Sequence, residues 1–318
     1  MPARLLVRHP DGRIEERPPE DLSELRDRPC WLDISDPEDR DLDLIAAELA
    51  LHPLAIEDTR HRHQRPKIDE YEDHYFLVFY ALEETDPDVV RDHEVSIFLA
   101  ANVVVTVHEG ELAARSAVEK RFREGRLPTC GRLLHALLDT MVDGYFDVVD
   151  HFGDRVELLE SLILDDAGAA MRTSLNELFH LKRDLLRIRQ RVAPEREVLA
   201  VLARGDLRDL REPGGRAYFQ DVYDHIVRVT DEIDTFRELT SNVIEAHLAA
   251  ASNRLNEVMK VLTSVATVLL VLSVVTSFFG MNFDAIPFRS DQVFWWTVAA
   301  LAASTVALTI YFRRRGWL

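Results

Sequence analysis

From Val261 to Phe279 the chain has no charged residue, no Pro and no Gly. A helix of about 19 residues, at 1.5 Å per residue, is roughly 29 Å long and matches the hydrocarbon core of a bilayer. The run is therefore expected to span a membrane. A second uncharged run, Val293 to Phe312, has similar length, and the roughly 13 residues between the two are too few for a domain. The chain is thus predicted to end in a two-helix hairpin, with the preceding residues holding and controlling it. Lys260 lies before the first span and Arg313, Arg314 and Arg315 follow the second, while the connecting loop holds one Arg and two Asp. Basic flanks stay on the cytoplasmic side, so both termini are expected there. Trp295, Trp296, Tyr311 and Trp317 stand near the ends of the second span, where amphipathic rings favour the headgroup layer.

The first span also carries a pattern. Alternate steps of three and four residues pick out Asn256, Met259, Thr263, Ala266, Leu270, Ser273, Ser277 and Gly280, a stripe of mostly small or weakly polar side chains. Such a stripe serves a close helix–helix contact. It equally serves a pore wall, with hydroxyls alternating with apolar constrictions. The residues after it favour the second reading. Gly280-Met281-Asn282 stands where the span leaves the bilayer, followed by Phe283 and Asp284. Glycine allows the helix to end there, and Asn offers a neutral oxygen at the mouth. A ring of carboxamides suits a strongly hydrated ion such as Mg2+, because it can accept hydrogen bonds from the water shell. A ring of carboxylates would hold the ion too tightly for release.

The segment Asn256-Glu257-Val258-Met259-Lys260-Val261-Leu262-Thr263, the Phe279-Gly280-Met281-Asn282 terminus and the basic tail closely resemble the CorA family of magnesium channels. The resemblance covers nearly the whole chain. His52-Pro53-Leu54, Glu57-Asp58, His63-Gln64-Arg65-Pro66-Lys67 and Phe219-Gln220-Asp221-Val222-Tyr223-Asp224-His225 also look like family stretches. Phe279, Val271 and Val274 depart from it, where family members often have Tyr before the motif and a Pro with an aromatic in mid-span.

The chain has 318 residues, a formal charge of −18 and a pI near 5.1. An acidic soluble part argues against nucleic-acid binding and fits a cationic partner. Cys30 and Cys130 are too few and isolated for a disulfide framework or a zinc site, and read as reduced filler. The N-terminus is charged from Arg4 onward and does not resemble a signal peptide, leaving the hairpin as the membrane address. Residues 1–127 are expected to form a cytoplasmic α/β domain. Short β-rich runs at Leu5–Val7, Trp31–Ile34, Phe76–Leu82, Val95–Leu99 and Val103–Val107, separated by helical or turn-like stretches such as Asp39–Leu49, suggest a mixed sheet covered on both faces. No Gly-rich phosphate loop, nucleophile–base arrangement or dinucleotide fingerprint occurs, so nothing here points to an enzyme. His52, Glu57, Asp58, His61 and His63 lack zinc-site spacing and are interleaved with Arg60, Arg62 and Arg65, so ion pairs and hydrogen bonds are the expected role. Glu83, Glu84, Asp86 and Asp88 are expected in a solvated loop after a strand.

Residues 128–258 form a helical region in this reading, and 259–318 the hairpin with its outer loop over 280–292. A turn near Asp165–Gly168 and a break at Pro213-Gly214-Gly215 delimit two antiparallel helices. Asp139, Asp143, Asp147, Asp150, Asp154 and Glu157 share one face of the first, where solvation is the leading explanation and a cation-attracting surface the other. Between Gly215 and Gly280 there is neither Gly nor Pro, which permits one helix of about 64 residues, roughly 96 Å long. Extended backward, the pore stripe continues through Ser252, Ala249, Glu245, Asn242, Glu238, Thr235, Asp231 and Arg228, as in a water-filled funnel. Ile226, Val229, Ile233, Phe236 and Val243 form an apolar side for packing.

One hairpin cannot enclose an ion path, so a pore requires several copies around an axis. The resemblance implies a funnel-shaped homopentamer in the cell (inner) membrane, embedded in lipid, that passes Mg2+ and also Co2+ or Ni2+. It implies that Gly280, Met281 and Asn282 form the outer selectivity ring, with Asp284 concentrating cations nearby. Asn256, Met259, Leu262, Leu270, Ser273 and Ser277 would line the path, Met259 and Leu262 being the hydrophobic gate. Inhibition by internal Mg2+ is implied at Asp221, with an acid of the neighbouring subunit from Glu84, Asp86 or Asp88. Alternatives are a proton-coupled zinc transporter of the same superfamily, and a membrane-anchored scaffold or sensor that moves no ion.

Overall fold

The computed structural model describes residues 3–86, 89–165, 169–205, 207, 215–281 and 290–317. It divides into two compact units, Met1–Ser241 and Asn242–Leu318.

The first unit is built on strands β1 (Ala3–Arg8), β2 (Ile14–Arg17), β3 (Cys30–Ser35), β4 (Lys67–Glu70), β5 (Tyr75–Asp86), β6 (Val89–Ala100) and β7 (Val103–His108). They form a 7-stranded sheet in the order β2-β1-β3-β7-β6-β5-β4. The β3–β7 pair is parallel and the other pairs are antiparallel. Every residue of β7 is buried, as expected of a strand covered on both faces, which fits its valine-rich sequence. The two strands without a sequence signal, β2 (Ile-Glu-Glu-Arg) and β4 (Lys-Ile-Asp-Glu), are the outermost ones. An outer strand faces water along one side, so its composition need not be apolar.

The acidic run after Leu82 differs from expectation. Glu83, Glu84 and Asp86 belong to β5 and do not lie in a loop after it. Pairing with β6 carries the strand on, with Glu83 opposite Arg91 and Glu84 opposite Val90, and the register shifts between Glu84 and Asp86. The opposed Glu83 and Arg91 favour an extended arm despite its polarity.

Helices α1 (Asp39–Leu49) and α2 (Pro53–His61), with a short 3-10 helix at Pro19–Leu25, cover one face. Their Leu42, Ile45, Leu49 and Ile56 pack with Leu32, Phe76, Val78 and Val105 of the sheet. A capping box between Glu38 and Asp41 opens α1. His52 caps α2, its Nδ1 accepting the Leu54 N–H at 3.2 Å, and Pro53 fills the first turn, where a missing N–H does no harm.

The opposite face carries α3 (Ala113–Arg123), α4 (Cys130–Asp165) and α5 (Ala169–Arg204). Trp31 meets Phe122 of α3 edge to face at 6.2 Å. Its indole N–H donates to Thr106 Oγ1 at 3.0 Å, and Thr106 donates to Asp33 Oδ1 at 2.6 Å. Arg115 of α3 and His108 also reach Asp33, so this buried carboxylate is paired. Beyond Val78, β5 has no partner in β4, which pairs only from Glu70 back to Lys67. There the Tyr80 N–H donates to Glu195 Oε1 of α5 at 2.8 Å, and the Tyr145 hydroxyl of α4 donates to the Tyr80 carbonyl.

Helix α6 runs from Gly215 to Phe279 without interruption and stops just before Gly280, as the sequence permits. In the first unit its Val222, Ile226, Val229 and Ile233 are buried. The second unit pairs the apolar end of α6 with α7 (Asp291–Arg314). These are the 2 helices long and apolar enough to cross a membrane among the described residues.

Candidate functional site

Within the second unit, α6 and α7 face each other through Val271, Val275 and Phe279 on one side and Val293, Trp296, Ala300 and Leu301 on the other. At the end of the helix Gly280 also meets α7, beside Val293 and Phe294, but the rest of the stripe lies off that contact. Asn256, Met259, Thr263, Ala266, Leu270, Ser273, Ser277 and Gly280 are all exposed, Leu270 by 64%. Leu262 lies beside the stripe and is also exposed. Residues 270 and 271 differ by about 100° around the helix, which separates the small-residue face from the face that packs on α7. On α7 the small residues Thr297, Ala300 and Ser304 serve the contact inside the hairpin, whereas the stripe of α6 from Asn256 to Ser277 does not.

The last turn of α6 tightens before it stops. Gly280 N–H is shared between Thr276 O at 3.0 Å and Ser277 O at 3.1 Å, and Met281 N–H reaches Phe278 O at 3.2 Å. Gly280 is not in the left-handed conformation, so the helix does not end there by the turn that only glycine takes easily. A Cβ there would stand 3.4 Å from both carbonyl oxygens, an ordinary contact, so space does not demand glycine either. Asn282 and Asp284 lie outside the described residues, as does Asp88, and so does the side chain of Asp86.

A second site is assembled in the first unit from two helices. Asp139 and Asp143 stand one turn apart on α4, and His225 faces them from α6. One ligand atom from each of the three lies within 4.8 Å of the others. His225 Nδ1 is buried without a hydrogen-bond partner among the described residues and is 4.0 Å from Asp143 Oδ1. Burial, and then repulsion from Asp139 and Asp221, raises the Asp143 carboxyl above its ordinary value, against the pull of His225. Burial lowers the imidazole of His135 nearby, although Asp139 and Asp221 favour its charged form. Asp221, one turn before His225 and exposed, thus belongs electrostatically to the same cluster. The sequence showed Asp139 and Asp143 only as the start of an acidic stripe, whose remaining members Asp147, Asp150, Asp154 and Glu157 are, like Asp143 itself, exposed to solvent. The available signal was that two i, i+4 pairs, Asp139/Asp143 and Asp221/His225, carry ligand atoms on single helix faces.

Glu84 is half-exposed on β5, with His151 Nδ1 of α4 at 3.6 Å. The His52 group is taken up by structural contacts. His52 stacks on Tyr71 at 4.5 Å, Lys67 donates to Asp58 at 2.7 Å, His61 stands 3.8 Å from Glu57, and Arg62 pairs with Glu109.

A stripe left bare by its own hairpin is free to meet another surface, and an acidic cluster outside the spans can attract a cation. These features place the chain among two-span membrane transport proteins. It belongs to the CorA family: the family model described as CorA-like Mg2+ transporter protein matches residues 26–314. It is 31% identical over 297 residues to the cobalt/magnesium transport protein CorA of Thermotoga maritima, with 91% of this chain and 84% of that one covered. A cobalt/magnesium transport protein CorA of Methanocaldococcus jannaschii is 26% identical over 319 residues, covering 97% of each. The fold matches the complete structure of the CorA magnesium transporter from M. jannaschii with a TM-score of 0.83 at 22% identity, over 100% of this chain and 99% of that one. The cytoplasmic domain of ZntB from Vibrio parahaemolyticus shares the fold at 8% identity and a TM-score of 0.64, over 80% of this chain and 100% of that one. The family consists of ion transporters, not enzymes, as the sequence led one to expect.

Proposed function

We propose that this chain is one subunit of a passive, membrane-potential-driven Mg2+ channel, also open to Co2+ or Ni2+, and gated by intracellular Mg2+. The observation that carries the reading is the stripe on α6, exposed along its length and, up to Ser277, turned away from the α7 contact. Identical stripes from several subunits, five by resemblance to the family, would enclose a path of hydroxyls and apolar constrictions. Met259 and Leu262 would form the narrow gate, with Asn256, Leu270, Ser273 and Ser277 along the wall. Gly280 and Met281 shape the turn that presents Asn282 as the selectivity ring, and Asp284 raises the local cation concentration. A negative interior supplies about 2.3 kcal/mol per charge per 100 mV, doubled for a divalent ion, so entry needs no pump.

Regulation rests on Asp221 and the acids beside it. Carboxylate oxygens of Asp139, Asp143 and Asp221 suit a hard cation that keeps much of its water, and the His225 imidazole suits Co2+ or Ni2+ better than Mg2+. Glu84, Asp86 or Asp88 of a neighbouring subunit would complete the set. With the cation gone, opposed carboxylates repel and bias the assembly toward open states.

The test is Mg2+ entry into proteoliposomes with a negative interior, reported by an internal dye, for the native protein and Asn282→Ala. Native flux that collapses in a normally assembled variant supports both the channel and its ring. Absence of native flux at low internal Mg2+ removes the channel reading. Zinc flux that follows a proton gradient then becomes the expected result, or, failing that, a scaffold that binds a partner.

A further inference from the structure

Glu195 lies in the middle of the packing between sheet and helices with no exposed surface, and Tyr145 beside it is equally buried. Tyr145 has one hydroxyl proton but touches two oxygens, the Tyr80 carbonyl and Glu195 Oε2, the latter at 2.8 Å. Were Glu195 ionised, that proton could serve only one of them and the other contact would set lone pair against lone pair. A proton on Glu195 Oε2 resolves the count. Glu195 then donates to Tyr145, Tyr145 donates to the Tyr80 carbonyl, and the Tyr80 N–H donates to Glu195 Oε1 at 2.8 Å.

The charged groups around the site do not offer Glu195 a counter-ion. On its own helix, Arg191 lies over the Tyr80 ring at 4.5 Å with its Nε on Asp92, and Arg196 donates to Tyr223 of α6. From β4, Lys67 is held by Asp58 and Asp69. The Tyr80 phenol of β5 is turned to the Gln64 carbonyl and Glu94 Oε2 of β6. From α4 the ionisable group that faces Glu195 is Tyr145, and Asp143 is turned toward His225. A buried carboxylate without a cation neutralises instead of remaining charged. Consistent with this, burial raises the Glu195 carboxyl well above its ordinary range, although the Tyr80 and Tyr145 hydrogen bonds act the other way.

We propose that Glu195 is carried in the folded subunit as a neutral carboxylic acid whose proton closes a relay through Tyr145 to Tyr80, fastening α5 and α4 to β5. Alkaline pH, by ionising Glu195, loosens this joint. An acid whose folded value is raised binds its proton more tightly when folded, so stability falls as pH climbs from the ordinary glutamate value toward the folded one. Glu195→Gln keeps a neutral group that can accept from Tyr80 and donate to Tyr145.

The test uses full-length protein in detergent micelles. Infrared spectra of wild-type protein carrying 13C-labelled glutamate are expected to show a protonated carboxyl band at neutral pH. That band should shift in Tyr145→Phe and vanish in Glu195→Gln. Over the window in which Glu195 stays protonated only when folded, the folding equilibrium of the wild type should fall by up to about tenfold per pH unit, and Glu195→Gln should lose that one-proton slope. A wild type without the band, which needs no folded variant to establish, overturns the proposal. So does a Glu195→Gln protein that keeps the full wild-type pH dependence.

Discussion

Phe236 of α6 lies so close against Gly153 of α4 that a Cβ on the glycine would meet the ring at 2.6 Å. This approach seats the helix that leads to the membrane against the helical layer of the first unit. Gly153→Ala should force the ring aside and lower stability by about 1–3 kcal/mol, the usual range for overpacking. Thermal unfolding of the purified protein checks this, and adding Phe236→Leu should recover part of the loss.

The stripe and the α7-facing side of α6 make separable predictions for thiol chemistry. Both native cysteines are buried, and burial pushes the Cys30 thiol up to about 12, so background labelling should be low. Ser273→Cys and Ser277→Cys should react with a small, charged thiol reagent in conducting protein and reduce Mg2+ flux. Val275→Cys, packed toward α7, should not. Equal labelling of all three would remove the stripe as the pore wall.

Asp33 gives a pH dependence of defined sign. Burial pushes its carboxyl up, but His108, Thr106 and Arg115 together outweigh burial and hold it below the ordinary value. Stability from this group is therefore present above the unfolded value of 3.8 and is lost as pH falls through the lower folded one. Asp33→Asn leaves Arg115 with Glu119 as its remaining carboxylate and should reduce stability by about 1–3 kcal/mol at neutral pH. The difference from wild type should shrink under acid denaturation.

If the Asp139, Asp143 and His225 cluster holds the regulatory cation, then Mg2+ should raise the melting temperature of detergent-solubilised protein. At 100 times the dissociation constant the gain corresponds to about 2.7 kcal/mol. Asp143→Asn should weaken that stabilisation, and Asp221→Lys should abolish both it and inhibition by internal Mg2+. Unchanged inhibition in the Asp221 variant would place regulation elsewhere.

The sequence revealed elements whose physics is local. Helix α6 was legible because nothing between Gly215 and Phe279 can break it, whereas Asp39–Leu49 read only as helical or turn-like and is the helix α1. The β7 run Val-Val-Val-Thr-Val-His announces a strand covered on both faces. Strands β2 and β4 were silent, since their residues are chosen by water on the outer side and their pairing comes from neighbours distant in sequence. The end of β5 was placed early because Glu83 and Glu84 are extended by Arg91 and Val90 across the hairpin, a contact that a local window does not contain. The same limit applied to function. The 3–4 spacing disclosed the stripe, but which side of α6 meets α7 is a tertiary fact. Asp139 and Asp143 looked like surface charge until α6 brought His225 to them.

The open flank of β5 beyond β4 has a further consequence. An unpaired N–H and carbonyl on a long apolar strand invite a strand from another molecule, the first step of aggregation. Glu195 and Tyr145 occupy that position at Tyr80, one accepting the amide proton and the other donating to the oxygen. If copies of the chain assemble as proposed, the two side chains bias association away from sheet-to-sheet joining and leave helices as the surfaces through which copies meet. Removing both should show itself as misassembly at ordinary expression levels before it shows itself as lost transport.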